Sequence, residues 1–207
     1  MLVPEKPRSA WPLWAAGGTV AFLLVVMAIA ALVLSLRPRD PYATASKYKN
    51  AHDYSNAAIW FRKAAERGNA NAQVNLALMY RNGQGVPQNP AEAFIWARKS
   101  ADQGNAAGQT LLGILYESGE GVSRDEAAAA DCYQRAAHQG YAWAESLLAN
   151  MYLGGRGNLQ RDYVLAYRWF LRAAAGGDET AKSALVMLPP LMNRDQIRRA
   201  TELAQRD

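Results

Sequence analysis

The sequence predicts an all-α protein: a right-handed superhelical solenoid of antiparallel helix hairpins, preceded by one transmembrane helix. Three observations carry that expectation. Two separate motifs recur along the chain at steps of 36 or 37 residues. Capping residues and glycines punctuate every repeat at fixed offsets. An apolar run free of charge fills much of the first forty residues.

The apolar run comes first. No charged residue stands between Ser9 and Leu36, and Gly17–Leu36 is almost wholly apolar. About 20 residues at about 1.5 Å each reach roughly 30 Å, the thickness of a bilayer's hydrocarbon core. Trp11 and Trp14 stand where an interfacial aromatic belt would lie, and Arg37-Pro38-Arg39 closes the other end. The expectation is a short tail over 1–10, a transmembrane helix over 11–37 and a linker over 38–47. Together these predict a single-pass protein of a bacterial inner membrane. The alternative is a cleaved secretory signal with a small-residue site at Ala28-Ile29-Ala30 or Ala43-Thr44-Ala45; the length of the run favours an uncleaved span. Lys6 and Arg8 on one flank against Arg37, Arg39, Lys47 and Lys49 on the other lean toward a cytoplasmic domain. A short tail before one span is equally the layout of an exported domain, so the side stays open.

The repeat accounts for the rest. WFRKAAERGN from Trp60, WARKSADQGN from Trp96, CYQRAAHQGY from Cys132 and WFLRAAAGGD from Trp169 align at steps of 36, 36 and 37 residues. Upstream, AQVNLALMY, GQTLLGILY and AESLLANMY end at Tyr80, Tyr116 and Tyr152, again 36 apart. Glycine-punctuated links follow: RNGQGVPQN, ESGEGVSRD and LGGRGNLQRD. The last is one residue longer, which explains the single step of 37.

Each unit reads as two helices. In the first, Leu76, Ala77 and Tyr80 recur as Leu112, Gly113 and Tyr116, then as Leu148, Ala149 and Tyr152, offsets that share one helical face. The middle position is always small, which admits a close neighbour. The second helix starts at Asp53, Asn89, Asp125 and Asp162, residues whose side-chain oxygen accepts an unpaired backbone N–H. It stops at Gly68, Gly104, Gly140 and Gly177, suited to a left-handed cap. One such hairpin cannot bury its apolar face alone, and stacking neighbours does so. The solenoid is placed at 48–207, with a shortened opening unit reaching back to 41 (41–69), full units at 70–105, 106–141 and 142–178, and capping helices at 179–207. In the last piece Pro189-Pro190 replaces the expected tyrosine, and Asn193 can cap a polar final helix.

The pattern A-x-x-L-[AG]-x-[LM]-Y-x-x-G-x-G-V, then Asp, then A-x-x-W-[FY]-x-[KR]-A-A-x-x-G resembles the Sel-one-like repeat (SLR) family, relatives of tetratricopeptide repeats. The resemblance covers roughly residues 41–207. Cys132 stands for the usual Trp, and Asn158 for the Val of Val86 and Val122. The resemblance implies an α-solenoid used as a protein-binding scaffold, in bacteria often at the envelope. Many members staple their hairpins with paired cysteines, which this chain lacks.

Composition narrows the chemistry. The formal charge is +5, of which +3 falls on residues 41–207, too small and mixed for a nucleic-acid surface. One Cys and two His exclude a disulfide framework and any Cys-based or three-His metal site. Gly83-Gln84-Gly85 and Gly119-Glu120-Gly121 follow a helix and lack the phosphate-binding Lys, so they are turns. Cys132 occupies a packing position and His138 an exposed last turn, a poor nucleophile–base pair. Asp125-Glu126 is a cap and its neighbour, and the Trp and Tyr series belongs to the core. No catalysis, cofactor or metal is expected.

What remains is the face of the first helices away from the packing stripe, which lines the groove in tetratricopeptide-like arrays. It supplies Asn71, Val74, Leu78 and Arg81, then Ala107, Thr110, Ile114 and Glu117, then Trp143, Ser146, Asn150 and Leu153. These differ from unit to unit and include neighbouring apolar residues, as a binding surface would. The expected function is a membrane-anchored scaffold that binds a partner protein or peptide in this groove, the partner being envelope-associated. The alternatives are a structural spacer or self-assembling module, and, less favoured, a cell-wall hydrolase.

Overall fold

The computed structural model describes residues 25–28 and 40–205. The chain divides into two compact units, 1–39 and 40–207. In the first, only a helical stretch at 25–28 is described. Among the described residues no helix is long and apolar enough to cross a membrane. This overturns the single-pass membrane localisation and leaves the preceding transmembrane helix, and the membrane contact through it, unsupported. A span needs about 20 apolar residues, whereas the helices of the second unit run from 9 to 13 residues and alternate packed with polar faces. The segment that prompted the expectation, 11–37, lies outside the described residues apart from 25–28.

The second unit is helical throughout its described length: α1 (Pro41–Asn50), α2 (Tyr54–Glu66), α3 (Ala70–Asn82), α4 (Pro90–Asp102), α5 (Ala106–Ser118), α6 (Glu126–Ala137), α7 (Ala142–Gly154), α8 (Tyr163–Ala175), α9 (Glu179–Met187), a 3-10 turn at Pro189–Leu191, and α10 (Arg194–Gln205). Residues 41–47, expected as part of a linker, belong to α1. Asp40 accepts the Tyr42 N–H at 3.0 Å and Pro41 sits in the first turn, where its missing N–H costs nothing.

Helices pair as α1–α2, α3–α4, α5–α6 and α7–α8, and each second helix also packs on the next first helix. First helices touch across units as well, α3 with α5 and α5 with α7, while α9 and α10 both close on α8. The result is an all-α repeat solenoid. Asp53, Asn89, Asp125 and Asp162 each cap a second helix, accepting backbone N–H groups at 2.8–3.2 Å. Asn193 and Gln196 exchange side-chain and backbone bonds at 2.9 Å each, a reciprocal box that starts α10.

The core is rich in alanine and gathers in two clusters. One cluster gathers Ala45, Phe61, Leu76, Trp96 and Leu115 from the first three units; a second gathers Tyr133, Leu148, Met151, Phe170 and Leu188 toward the end. One glycine of each link, Gly85, Gly121 and Gly157, fixes how units stack. A Cβ at Gly85 would stand 2.1 Å from the Tyr54 carbonyl oxygen, one at Gly121 2.1 Å from that of Pro90, and one at Gly157 2.4 Å from that of Glu126. Tyr54, Pro90 and Glu126 open the second helices of the preceding units. Only a residue without a Cβ lets each link lie on that first turn.

Candidate functional site

The first helices α3, α5 and α7 place the expected groove residues, and two are turned inward. Thr110 is wholly buried, its hydroxyl donating to the Ala106 carbonyl at 2.8 Å. Ser146 is buried too, and its carbonyl accepts from the Asn150 amide at 3.0 Å. Neither reaches a groove surface.

Charged candidates join successive units. Arg81 grips Glu120 through Nε and Nη2 at 2.8 and 2.9 Å. Glu117 accepts from Arg156 at 2.7 Å and from the buried Tyr133 hydroxyl at 2.7 Å. The Arg81 guanidinium holds the Glu120 carboxyl below its ordinary pKa. Asn71 is exposed, and its side-chain oxygen accepts from Asn105 Nδ2 at 2.9 Å.

The apolar candidates fall into two groups. Val74 and Leu78 are half-buried against the first core cluster, and Ile114 and Leu153 against the second. Trp143 differs: it is 45% exposed at the start of α7, where the equivalent residues are Asn71 and Ala107. The open part of this face is therefore Trp143 and Asn71, with Leu78, Ile114 and Asn150 half-open between core and solvent.

A polar ladder behind the face adds rigidity. Gln103 donates to Gln73 and Gln139 to Gln109, each at 2.7 Å and each 30 residues on. In the fourth unit the position carries Glu145, 2% exposed, and Arg172 Nε reaches it at 2.8 Å. Cations also cover the repeated indoles: Lys63 lies 4.6 Å from the Trp60 ring centre and Lys99 4.0 Å from that of Trp96. Cys132 is buried at the packing position, and that burial pushes its thiol up to about 11, away from nucleophilic use.

One grouping escaped the sequence reading. His138, Arg168, Trp169 and Arg172 line a common cavity of about 440 Å³ on the second-helix side. Read singly, they are a last-turn residue, a polar helix residue, a core indole and an indole-covering cation. Aligned column by column across units, they are the set without an acid, a signal present in the sequence.

Comparison with known proteins follows this geometry. The Sel1 repeat profile matches residues 50–69, 70–105, 106–141 and 144–178. The crystal structure of c5321, a protective antigen of uropathogenic Escherichia coli with an SLR fold, is 33% identical over 80% of this chain, with a TM-score of 0.68. This chain spans 37% of that protein's length. A Sel1 repeat protein from Oxalobacter formigenes is 29% identical over 78% of this chain and 67% of its own, with a TM-score of 0.67. No curated protein matches. The profile's four matches cover more than half of the chain at the spacing of its repeats, and the chain belongs to the Sel1 repeat family, whose members are generally scaffolds for protein–protein interaction.

Proposed function

We propose that this protein is a non-catalytic scaffold that binds a helical or extended segment of a partner protein along the first-helix face. Trp143 is the principal anchor, and Leu78, Ile114, Asn71, Val74 and Asn150 extend the contact. The observation that carries the reading is an indole 45% exposed on a helix whose other units place Asn or Ala there. Large aromatic residues dominate interface energetics, and an exposed one on a rigid helix loses little entropy on binding. Arg81 and Glu117 support this surface by locking unit to unit. A photo-reactive residue at Trp143 or Leu78, followed by mass spectrometry of adducts formed in cells, tests it. One dominant protein captured at both positions, with capture reduced at least about tenfold by Trp143→Ala, is the expected result. Scattered adducts at both positions overturn it.

Self-assembly has an observation of its own. Val186, Met187 and Leu191 are 78, 72 and 61% exposed beside an apolar cavity of about 290 Å³ lined by Leu153 and Leu188. Sedimentation that depends on protein concentration and is abolished by Met187→Asp would favour this reading over capture of another protein.

A further inference from the structure

One position on the second helices steps through Ala58, Phe94, Ala130 and Tyr167, at intervals of 36, 36 and 37 residues. In α4 the Phe94 ring stands edge-on to Tyr116, with centres 5.3 Å apart and planes 84° apart. In α8 the residue is again a large ring. In α6 the small Ala130 is closed over by its own link: a Cβ on Gly157 would stand 2.8 Å from the Ala130 Cβ and 2.7 Å from the Met151 methyl. In α2 the residue is small and the link lies elsewhere, since Gly85 approaches Tyr54 and Ser55. The space beside Ala58 is an open, largely apolar cavity of about 490 Å³, lined also by Ile59, Arg62, Lys63 and Val86.

The walls suit a ring. Ile59 is 56% exposed and Val86 half-buried, while Ala58 itself is buried at the floor. Tyr80 is the counterpart of Tyr116, but it faces a cation in place of a phenyl ring. Arg62 Nη2 donates to the Tyr80 hydroxyl, and the guanidinium carbon lies 5.7 Å from the Tyr80 ring centre. One unit on, where Phe94 fills the space, Arg98 at the same position turns to Asp102 at 3.9 Å. The guanidinium thus lines the cavity in the unit that has no ring of its own.

We propose that this cavity is a socket for the aromatic side chain of a phenylalanine carried on a partner polypeptide. The group that fits is the one this chain supplies for itself one unit later, where the Phe94 ring occupies the matching place. The apolar surface of Ala58, Ile59 and Val86 favours any hydrocarbon of that size. The Arg62 guanidinium adds an attraction for a π face that a saturated ring lacks. A cavity of about 490 Å³ holds such a ring together with the backbone that carries it. The site lies on α2 and the first link, and it stands or falls independently of the first-helix face.

The test follows the Ile59 δ1-methyl by NMR in the full chain labelled at isoleucine methyls, assigned by its loss in Ile59→Val. Amidated acetyl-Ala-Phe-Ala, the same peptide with cyclohexylalanine in place of Phe, and amidated acetyl-trialanine are titrated. Saturable movement with the Phe peptide, binding of the cyclohexyl peptide weaker by at least about threefold, and no movement with trialanine are expected. Ala58→Phe fills the socket from within, and should abolish the titration while shifting the Ile59 methyl before any peptide is added. It retains the fold because Phe94 and Tyr167 occupy the equivalent positions. Arg62→Gln, which copies Gln134 at its own position, should bring the Phe peptide down to the affinity of the cyclohexyl one. Equal movement with trialanine, equal affinity for the two ring-bearing peptides, or a wild-type titration in both variants would overturn the proposal. So would a methyl shift that follows protein concentration without peptide, which would make the occupant a second copy of the chain.

Discussion

Arg81 and Glu120, 39 residues apart in the chain, meet at 2.8 Å, and the same two positions one unit later hold Glu117 and Arg156, which meet at 2.7 Å with the signs exchanged. The reversal gives each junction a distinct electrostatic key in an otherwise repetitive array. Out-of-register stacking would set Arg81 against Arg156 or Glu117 against Glu120. The exchange therefore specifies neighbour order, a need that quasi-identical units create.

That key is testable by charge exchange. Arg81→Glu brings two carboxylates together and should lower stability by about 1–2 kcal/mol, while adding Glu120→Arg should recover most of the loss. A coupling of about 1 kcal/mol is expected, because the pair is bidentate but about a third exposed. Urea denaturation of the two single variants and the double variant measures it. Two losses that simply add would show that the pair does not couple the units.

The same pair sets a pH response. Arg81 depresses the folded-state pKa of Glu120 below its unfolded value. Its stabilisation is therefore fully present above the ordinary carboxylate range, about 4.3, and is lost as pH falls through the lowered folded value. Thermal melts of wild type and Glu120→Gln should converge on acidification below about pH 4. A constant gap down to acid denaturation would contradict this.

The pairing also shows what a single sequence hides. Repeat length, hairpin boundaries, caps and the core stripe were legible because each recurs at 36 or 37 residues. Arg81 and Glu117 looked like variable groove contacts, since variation between units is what a binding face and a complementary pair both produce. The discriminating signal was that position 120 changes sign together with position 81 when both step one unit to 156 and 117. Thr110 and Ser146 were misplaced for another reason: small hydroxyl residues satisfy themselves on a helix carbonyl and pack inside, as Thr110 does on Ala106. The apolar run near the start carried composition alone, and composition cannot distinguish a span from an apolar segment used otherwise.

Glycine positions should separate into two grades. Gly121→Ala would put a methyl 2.1 Å from the Pro90 carbonyl oxygen, at a φ of +75°, and should cost about 3–5 kcal/mol. Gly104→Ala meets no atom within 4 Å at a φ of +81°, and only left-handed strain of about 1–2 kcal/mol opposes it. Chemical denaturation of both variants should show the first to be clearly worse. Equal losses would mean that backbone conformation, not the docking of the link, demands the glycine.

Cys132 should resist alkylation while the array is folded. With the thiol pushed up to about 11 by burial, the thiolate fraction at neutral pH is about one in ten thousand, and access is closed as well. Iodoacetamide labelling should run at least about a hundredfold slower than in the unfolded chain. Labelling at the unfolded rate under native conditions would reveal an opening of α6.

Gly113 and Tyr133 form a size-matched pair within the third unit. Tyr133 is fully buried, and a Cβ at Gly113 would stand 2.6 Å from its ring. The second unit solves the same contact with Ala77 and Ala97, both fully buried. Gly113→Ala should therefore cost about 2 kcal/mol by overpacking, and Tyr133→Ala about 3–5 kcal/mol by opening a cavity. Combined, they recreate the arrangement of the second unit, and the added methyl occupies space the ring has vacated. The double variant should lose at least about 1 kcal/mol less than the sum of the two single losses. Tyr133→Phe leaves the ring in place and should not relieve Gly113→Ala, since it removes only the hydroxyl bonded to Glu117 at 2.7 Å. Relief by Phe as large as that by Ala would place the conflict at the hydroxyl and its hydrogen bond, not at the ring edge that faces Gly113.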